Sequence, residues 1–488
     1  MSDSTSSGAT GTTAAPAHGG NVPLATAGLV LGILLSVLDQ TVVAVALPDI
    51  TADIGGGDSF SWVVTAYVLA STATGTLYGR VSDRLGRRSV FIAAVVLFSV
   101  ASLLCGLATS MPQLIAARVL QGTGAGALFV IPTIALSELY PARLRGKVQG
   151  LTGAVFALAG VGGPLTGGIL TDTAGWRWIF YVNIPLGLLS IALCAYALRL
   201  PKASAGAPVD LAGSALLMGA VVGLLLVTEW GGRAYAWGSG RILGLIALCV
   251  VLAALFARWE GKARDPLLPL RLFTNPVLRV ALPATAVVGM LLYGSVVFLP
   301  TFLQTAYDMS ATQAGLALNP YVIPFVATSA IAGGKTGASG RFKAHLLTGA
   351  VLLTVAFLLL GLLDLTSPYL LVAAGMAVLG LGFGLLVQNL VVVSQNAAAP
   401  PDLAATTAAG LSVRGLGMAI GVALFGNLLA REVAHGPGGP EATAAALPGV
   451  FTWGVPLAVV LVALIALLPR PDSPGDRLPE SRARWRIG

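Results

Sequence analysis

Apolar residues in this chain come in runs of about 20, each long enough to cross a hydrocarbon core of roughly 30 Å as a helix. Fourteen such spans are read, over 24–48, 60–78, 89–109, 112–137, 147–171, 178–198, 210–230, 241–257, 280–304, 312–333, 345–365, 368–393, 410–430 and 449–468. The segments between them hold most of the charge, and hold it unevenly. Of the 28 Lys and Arg residues, 22 fall on the side of the N-terminal tail and 4 (Arg177, Arg233, Arg241 and Arg431) on the other, while Arg118 and Arg414 lie within spans. An even number of spans puts both termini on one side, and the positive-inside rule makes that side the cytoplasm.

The spans group as six, two and six. Residues 1–23, rich in Ser, Thr, Gly and Ala, are expected to form a disordered cytoplasmic tail with no cleavable signal peptide. Residues 24–200 read as an N-terminal six-helix bundle and 201–270 as a linker carrying an extra transmembrane hairpin. A C-terminal six-helix bundle over 271–468 and a basic cytoplasmic tail over 469–488 complete the chain. A weak internal repeat supports the division: aligning Gly86 with Gly340 also pairs Gly79 with Gly333 and Arg87 with Arg341, while Asp83 meets Gly337. Two homologous halves leave such a trace. The predicted fold is an all-α membrane protein.

Composition agrees. The chain is 56% hydrophobic and 10% charged, where soluble proteins carry about a quarter charged residues. Its mean hydropathy is +0.87. The net charge of +8 is then a topology signal rather than a nucleic-acid footprint. Cys105, Cys194 and Cys249 all fall in apolar runs, far apart and odd in number, so neither a disulfide framework nor a metal site is expected. His18, His345 and His435 lie in a tail, at a cytoplasmic boundary and in an external loop, and none is read as catalytic. No Gly-x-x-x-x-Gly-Lys-Ser/Thr loop is present, which argues against an ATP-driven pump.

The candidate chemistry is intramembrane. Asp39 stands alone in the apolar run 24–47, where an anion costs several kcal/mol and needs a partner, water or a proton. Arg118 has a similar depth in span 4, so acid and base are placed to offset each other's desolvation. A cation beside the acid then tunes its proton affinity. Gly79, Asp83, Arg84, Gly86, Arg87 and Arg88 occupy a tight cytoplasmic loop after span 2. Span 5 concentrates Gly160, Gly162, Gly163, Pro164, Gly167 and Gly168, more than close packing requires. Tyr67, Tyr293, Asn319, Gln388 and Asn389 are candidate cavity-lining residues. Glu229 and Asp364, near external span ends, read as solvated acids, and Glu138, near the cytoplasmic end of span 4, as an interfacial or gate residue rather than a second proton carrier. With one deep acid beside a cation, neutral or monocationic lipophiles are expected to be handled better than dications.

Several of these stretches carry a family resemblance. Gly79 to Arg88 resembles the major facilitator superfamily loop Gly-x-x-x-Asp-Arg-x-Gly-Arg-Arg, and Arg118 to Gly124 its fourth-helix motif Arg-x-x-Gln-Gly-x-Gly. Gly163-Pro164 with Gly167-Gly168 resembles the fifth-helix motif of antiporters, with Ala159 where the longer pattern has glycine. Leu38 to Pro48 is similar to the first-helix signature of the fourteen-span drug:proton antiporters, with Ala44 replacing an asparagine. Trp176 to Pro185, Phe298 to Gln304, and Gln388-Asn389 with Gln395-Asn396 match other parts of that family, so that the resemblance spans roughly 24–468. It implies the major facilitator fold, two six-helix bundles with an inserted hairpin, in the cytoplasmic membrane. It implies further that Asp39 and Arg118 couple protons, that the loop 79–88 gates the cytoplasmic side, and that the transport is antiport. Expected partners are small amphipathic drugs or antibiotics, protons and membrane lipid. No cofactor beyond the proton gradient, no metal, no nucleic acid, no enzymatic activity and a monomeric state complete the reading. A dedicated exporter of one endogenous metabolite, such as an antibiotic, a siderophore or an amino acid, shares the same motifs.

Overall fold

The computed structural model describes residues 21–55, 61–200, 210–232, 234–263, 270–339, 342–399, 402–434 and 439–469. Most of the two predicted tails, and parts of the central linker, lie outside them. The described residues form seventeen α-helices and no β-strand. The first half contains α1 (Val22–Ile54), α2 (Ser61–Leu85), α3 (Arg87–Gly106), α4 (Met111–Leu139), α5 (Ala142–Ala174), α6 (Trp178–Tyr181) and α7 (Asn183–Ala197). The central pair is α8 (Leu211–Trp230) and α9 (Gly240–Glu260). A 3-10 turn, Leu270–Thr274, leads to α10 (Leu278–Ala306), α11 (Ala311–Ala317), α12 (Asn319–Ser339), α13 (Phe342–Gly361) and α14 (Tyr369–Ala397). Last come α15 (Leu403–Ala434), α16 (Gly439–Thr452) and α17 (Gly454–Ala466).

Three of the predicted spans are interrupted by one residue, Val182, Leu318 or Trp453. Each break is followed within three residues by a proline, Pro185, Pro320 or Pro456. Proline has no N–H to give the preceding turn and disfavours helical geometry just before it, so the ladder restarts there. Helix α5 stays continuous but bends by 43° between Leu144–Gly160 and Leu165–Ala174, across the segment that holds Pro164.

Joining each interrupted pair leaves fourteen rods in the expected order. Over the described residues nine are long and apolar enough to cross a membrane, or ten if the two arms of α5 count as one span. The rest, α2, α8, α12 and α15, fall short of that test. Three of these four, with α5, form the seams between the halves: α5 lies against α12, and α2 against α15. Helices that face each other need less uniformly apolar surfaces than helices that face lipid.

Within the first half, α4 packs against α2 and α3, and α1 against α5 and α7. In the second, α10 pairs with α15, and α14 lies between α12 and α13. The second half has the more aromatic core, with Phe302, Phe325, Phe357, Phe383, Phe425 and Phe451 fully buried. Helix α8 pairs with α9 and reaches both α2 and α15, where Val221 and Leu225 pack on Leu69, Trp62 and Leu416.

Glycines set how closely α4 is approached. A Cβ on Gly122 would stand 2.5 Å from the Tyr67 carbonyl oxygen, and one on Gly126 2.6 Å from that of Ser71. On another face, a Cβ on Gly124 would stand 2.9 Å from the Ala94 carbonyl oxygen. Gly122→Val is expected to destabilise the protein by about 1–3 kcal/mol or more, through forced separation of α2 from α4. Gly160→Ala, where nothing lies within 4 Å, should be neutral or slightly stabilising. Thermal unfolding in detergent checks both, and equal midpoints for the two variants would contradict the packing account.

Candidate functional site

Asp39 and Arg118 meet. Arg118 Nη1 lies 2.5 Å from Asp39 Oδ2, and both side chains are wholly buried. Two amides complete the carboxylate's shell, Gln121 Nε2 and Asn183 Nδ2 each donating to Asp39 Oδ1 at 2.8 Å. Both amides also reach Ser102 Oγ at 3.0 Å, and that hydroxyl donates to the Phe180 carbonyl at 2.9 Å. Arg118 donates from Nε to the Val63 carbonyl at 2.9 Å and from Nη1 to Gln121 Oε1 at 2.6 Å. Its guanidinium lies over the Tyr67 ring, 4.1 Å from the centroid. Tyr67 therefore packs beneath the ion pair, and its hydroxyl donates to the Ser36 carbonyl at 2.9 Å.

Every group on Asp39 is a donor, so its carboxylate oxygens accept from all of their neighbours. Asn183 and Ser102 complete the shell but carry no distinct signal in the sequence. Asn183 lies in a stretch marked by its aromatics, and Ser102 is one small polar residue among many. Two buried atoms, Arg118 Nη2 and Asn183 Oδ1, have no hydrogen-bond partner.

The span-5 glycines stand beside this shell. A Cβ on Gly163 would collide with the Thr41 hydroxyl, and one on Gly167 would meet the Val42 carbonyl oxygen at 3.1 Å. Thr41 also donates to the Ala159 carbonyl at 3.2 Å, tying α1 to α5 two residues beyond Asp39. Gly168 is half-buried, and the side chain of Pro164 lies outside what the structure describes.

At the opposite end of α2, Gly86 turns the chain into α3 with φ +90, a conformation that favours glycine. Arg87 folds back into a cluster. Its Nη2 lies 2.5 Å from Asp83 Oδ1 and 2.7 Å from Glu138 Oε1, and its Nη1 donates to Ser82 Oγ at 2.6 Å. Arg84 and Arg88 are exposed. Glu138 is thus joined to the loop through Arg87. The halves touch near this end: Gly79 abuts Ala408, Arg145 Nη1 reaches Asn396 Oδ1 at 3.4 Å, and Val130 and Ile134 pack on Ala404, Ala408 and Leu411. The side chains of the repeat segment 333–341 lie outside the described residues.

The second-half candidates are dispersed. Tyr293 donates to Gln40 Oε1 at 2.9 Å, across the halves. Gln388 is buried where Gly153 and Ser329 meet, and Asn389, also buried, donates to the Leu385 carbonyl at 2.7 Å. Asn319 is exposed at the first turn of α12. Asp364 accepts from Thr366 and Ser367 in its loop, and these bonds hold its carboxyl below the usual range, so it stays ionised as a loop-forming group. The Glu229 side chain lies outside the described residues.

A two-halved bundle of membrane-length helices with a charged pair sealed inside one half is an arrangement met in membrane proteins built from repeated bundles. The sequence model described as Major Facilitator Superfamily matches residues 29–422, and the chain belongs to that family. The uncharacterized MFS-type transporter Rv1877 of Mycobacterium tuberculosis is 39% identical over 400 residues, 82% of this chain; the chain spans 58% of that relative's length. The multidrug transporter protein MdtP of Bacillus subtilis is 35% identical over 402 residues, 82% of this chain and 74% of its own. Among solved structures, the human organic anion transporter MFSD10 superposes with a TM-score of 0.65 over 91% of this chain and 99% of its own, and at 18% identity shows the fold alone.

The buried pair should respond asymmetrically to truncation. Asp39→Asn leaves Arg118 charged with no acid beside it, a cost of about 3–5 kcal/mol. Arg118→Met should cost less, because Asp39 can neutralise itself by taking a proton, and the double variant should recover much of the Asp39→Asn loss. Unfolding midpoints in a double-mutant cycle test this; additive losses would show that the two charges do not support each other.

Proposed function

We propose that the protein is a proton-coupled antiporter that exports amphipathic drugs or antibiotics across the cytoplasmic membrane by alternating access. The observation that carries this reading is Asp39 and its donor shell. Of the buried acids among the described residues, Glu260 and Asp402 stand at helix ends, and only Asp39 lies in mid-helix. An ionisable pair sealed within a membrane bundle is by default a functional site. In the proposed cycle, opening the external side brings water to Asp39, which takes a proton and releases Arg118. Opening to the cytoplasm, with substrate bound, returns the proton. Substrate and proton then drive the exchange through their different affinities for the two conformers.

Coupling to the second half runs through α5, which touches α1 at Thr41 and Val42 and lies along α12. The Asp83, Arg87 and Glu138 cluster holds the cytoplasmic side closed. Fourteen spans, both termini in the cytoplasm, and a monomer driven by the proton gradient without other cofactor belong to the same proposal. The named multidrug relative supports the substrate class.

Asp39→Asn reconstituted in inverted vesicles is expected to lose substrate accumulation driven by an imposed pH gradient while still equilibrating substrate downhill. Gradient-driven accumulation at the unmodified rate would sink the assignment of Asp39.

Asp83→Ala or Arg87→Ala should shift the resting population toward the inward-facing state. Removing a contact of about 1–3 kcal/mol changes that equilibrium roughly 5- to 150-fold. Cysteine accessibility on the cytoplasmic side measures the shift, and an unchanged distribution would make the loop topogenic only.

A further inference from the structure

The second arginine within a span has no acid beside it among the described residues. Arg414 in α15 is 6% exposed. Among the described residues its side chain makes no hydrogen bond and no ion pair, and its guanidinium faces two aromatic rings. Its guanidinium carbon stands 5.0 Å from the Phe129 centroid and 6.0 Å from that of Phe156, and the two rings form an edge-to-face pair. Those rings belong to α4 and α5, so a cation of the second half rests on aromatics of the first.

Its position is specific. Leu411, three residues earlier, belongs with Ala404, Ala408, Val130 and Ile134 to the apolar contact that joins the halves near the loop 79–88. Arg414 is thus about 4.5 Å further along the helix axis, just past that seal. Tyr293 lies within electrostatic reach, and its hydroxyl is engaged with Gln40 from α1. The guanidinium and the two phenyl rings thus bring three helices of both halves together, with Tyr293 of a fourth nearby.

A guanidinium with no acid beside it inside the bundle is unfavourable, and ring faces offset only part of that. Its planar fork of five N–H groups matches a carboxylate bidentately. Asp39 cannot serve, since its charge is taken up by Arg118 within the first half. We propose that Arg414 is a substrate-recognition cation between the halves, and that the transported class is amphipaths bearing a single carboxylate, whose apolar bodies pack on Phe129 and Phe156. This rests on the transporter reading above and reverses the charge preference suggested by the lone acid in the sequence: with Asp39 neutralised by Arg118, the charge that meets a substrate is positive.

The test is equilibrium binding, which requires no proton coupling. The full-length protein in nanodiscs is dialysed against dansylglycine and against its methyl ester, with empty nanodiscs as the partition control. Wild type should bind the acid at least about tenfold tighter than the ester, the discrimination a lost charge-assisted pair produces. Arg414→Gln should bring the acid down to the ester's affinity and leave ester binding, which reports the folded protein, unchanged; Arg414→Lys should keep part of the preference. Equal binding of acid and ester by wild type would overturn the proposal, as would an acid preference that survives Arg414→Gln. Loss of both probes in that variant would make Arg414 a structural residue and overturn it too. If the acid preference holds while gradient-driven export fails, the antiport reading falls and this assignment stands.

Discussion

A carboxylate and a guanidinium removed from water must satisfy each other, and much of the first half is arranged so that Asp39 and Arg118 can. The acid comes from α1, its cation and one amide from α4, a second amide from the start of α7, a hydroxyl from α3 and a carbonyl from α2. Five helices therefore have to arrive in register. Attraction in a low-dielectric interior offsets desolvation only when the remaining lone pairs and protons are also engaged. Here they are engaged except at Arg118 Nη2 and Asn183 Oδ1.

The motif around Arg118 becomes one device when seen in three dimensions. Arg118 and Gln121 point at Asp39, while Gly122 and Gly126 let α2 come close and Gly124 does the same for α3. Close approach of α2 is what places the Val63 carbonyl and the Tyr67 ring against the guanidinium. Charge and smallness thus alternate on one helix for a single purpose. The span-5 glycines extend the logic to α1, where Gly163 admits the Thr41 hydroxyl next to the acid.

Much of this was legible in the chain. Long apolar runs revealed the helices, and matching depths foretold that Asp39 and Arg118 would meet, since a deep charge in an apolar run stands out against its neighbours. The amide and hydroxyl that finish the shell did not stand out, because Asn183 and Ser102 are too ordinary to be noticed until distant segments are brought together. The seam helices were read as spans like any others, although their weaker apolarity follows from facing protein. The helix breaks were missed for a related reason: hydropathy is blind to a lost N–H, and Pro185, Pro320 and Pro456 sit in segments apolar enough to read through. Asn319, a candidate for the cavity lining from sequence, stands exposed at the helix start that follows the break at Leu318.

The inserted pair has a consequence for symmetry. Two six-helix halves packed along two seams have two flanks, and without insertion neither would be backed by a further helix. Here the flank formed by α2 and α15 is backed by α8, with Trp62 against Trp230 and Trp237 bonded to Asn427 of α15. Beyond it α9 turns Leu243, Leu248, Val250, Val251 and Leu255 outward. The other flank is α5 directly on α12. Acyl chains can therefore wet one seam while the other is screened by a helical shutter, and a molecule partitioning between cavity and hydrocarbon meets two different walls, left and right.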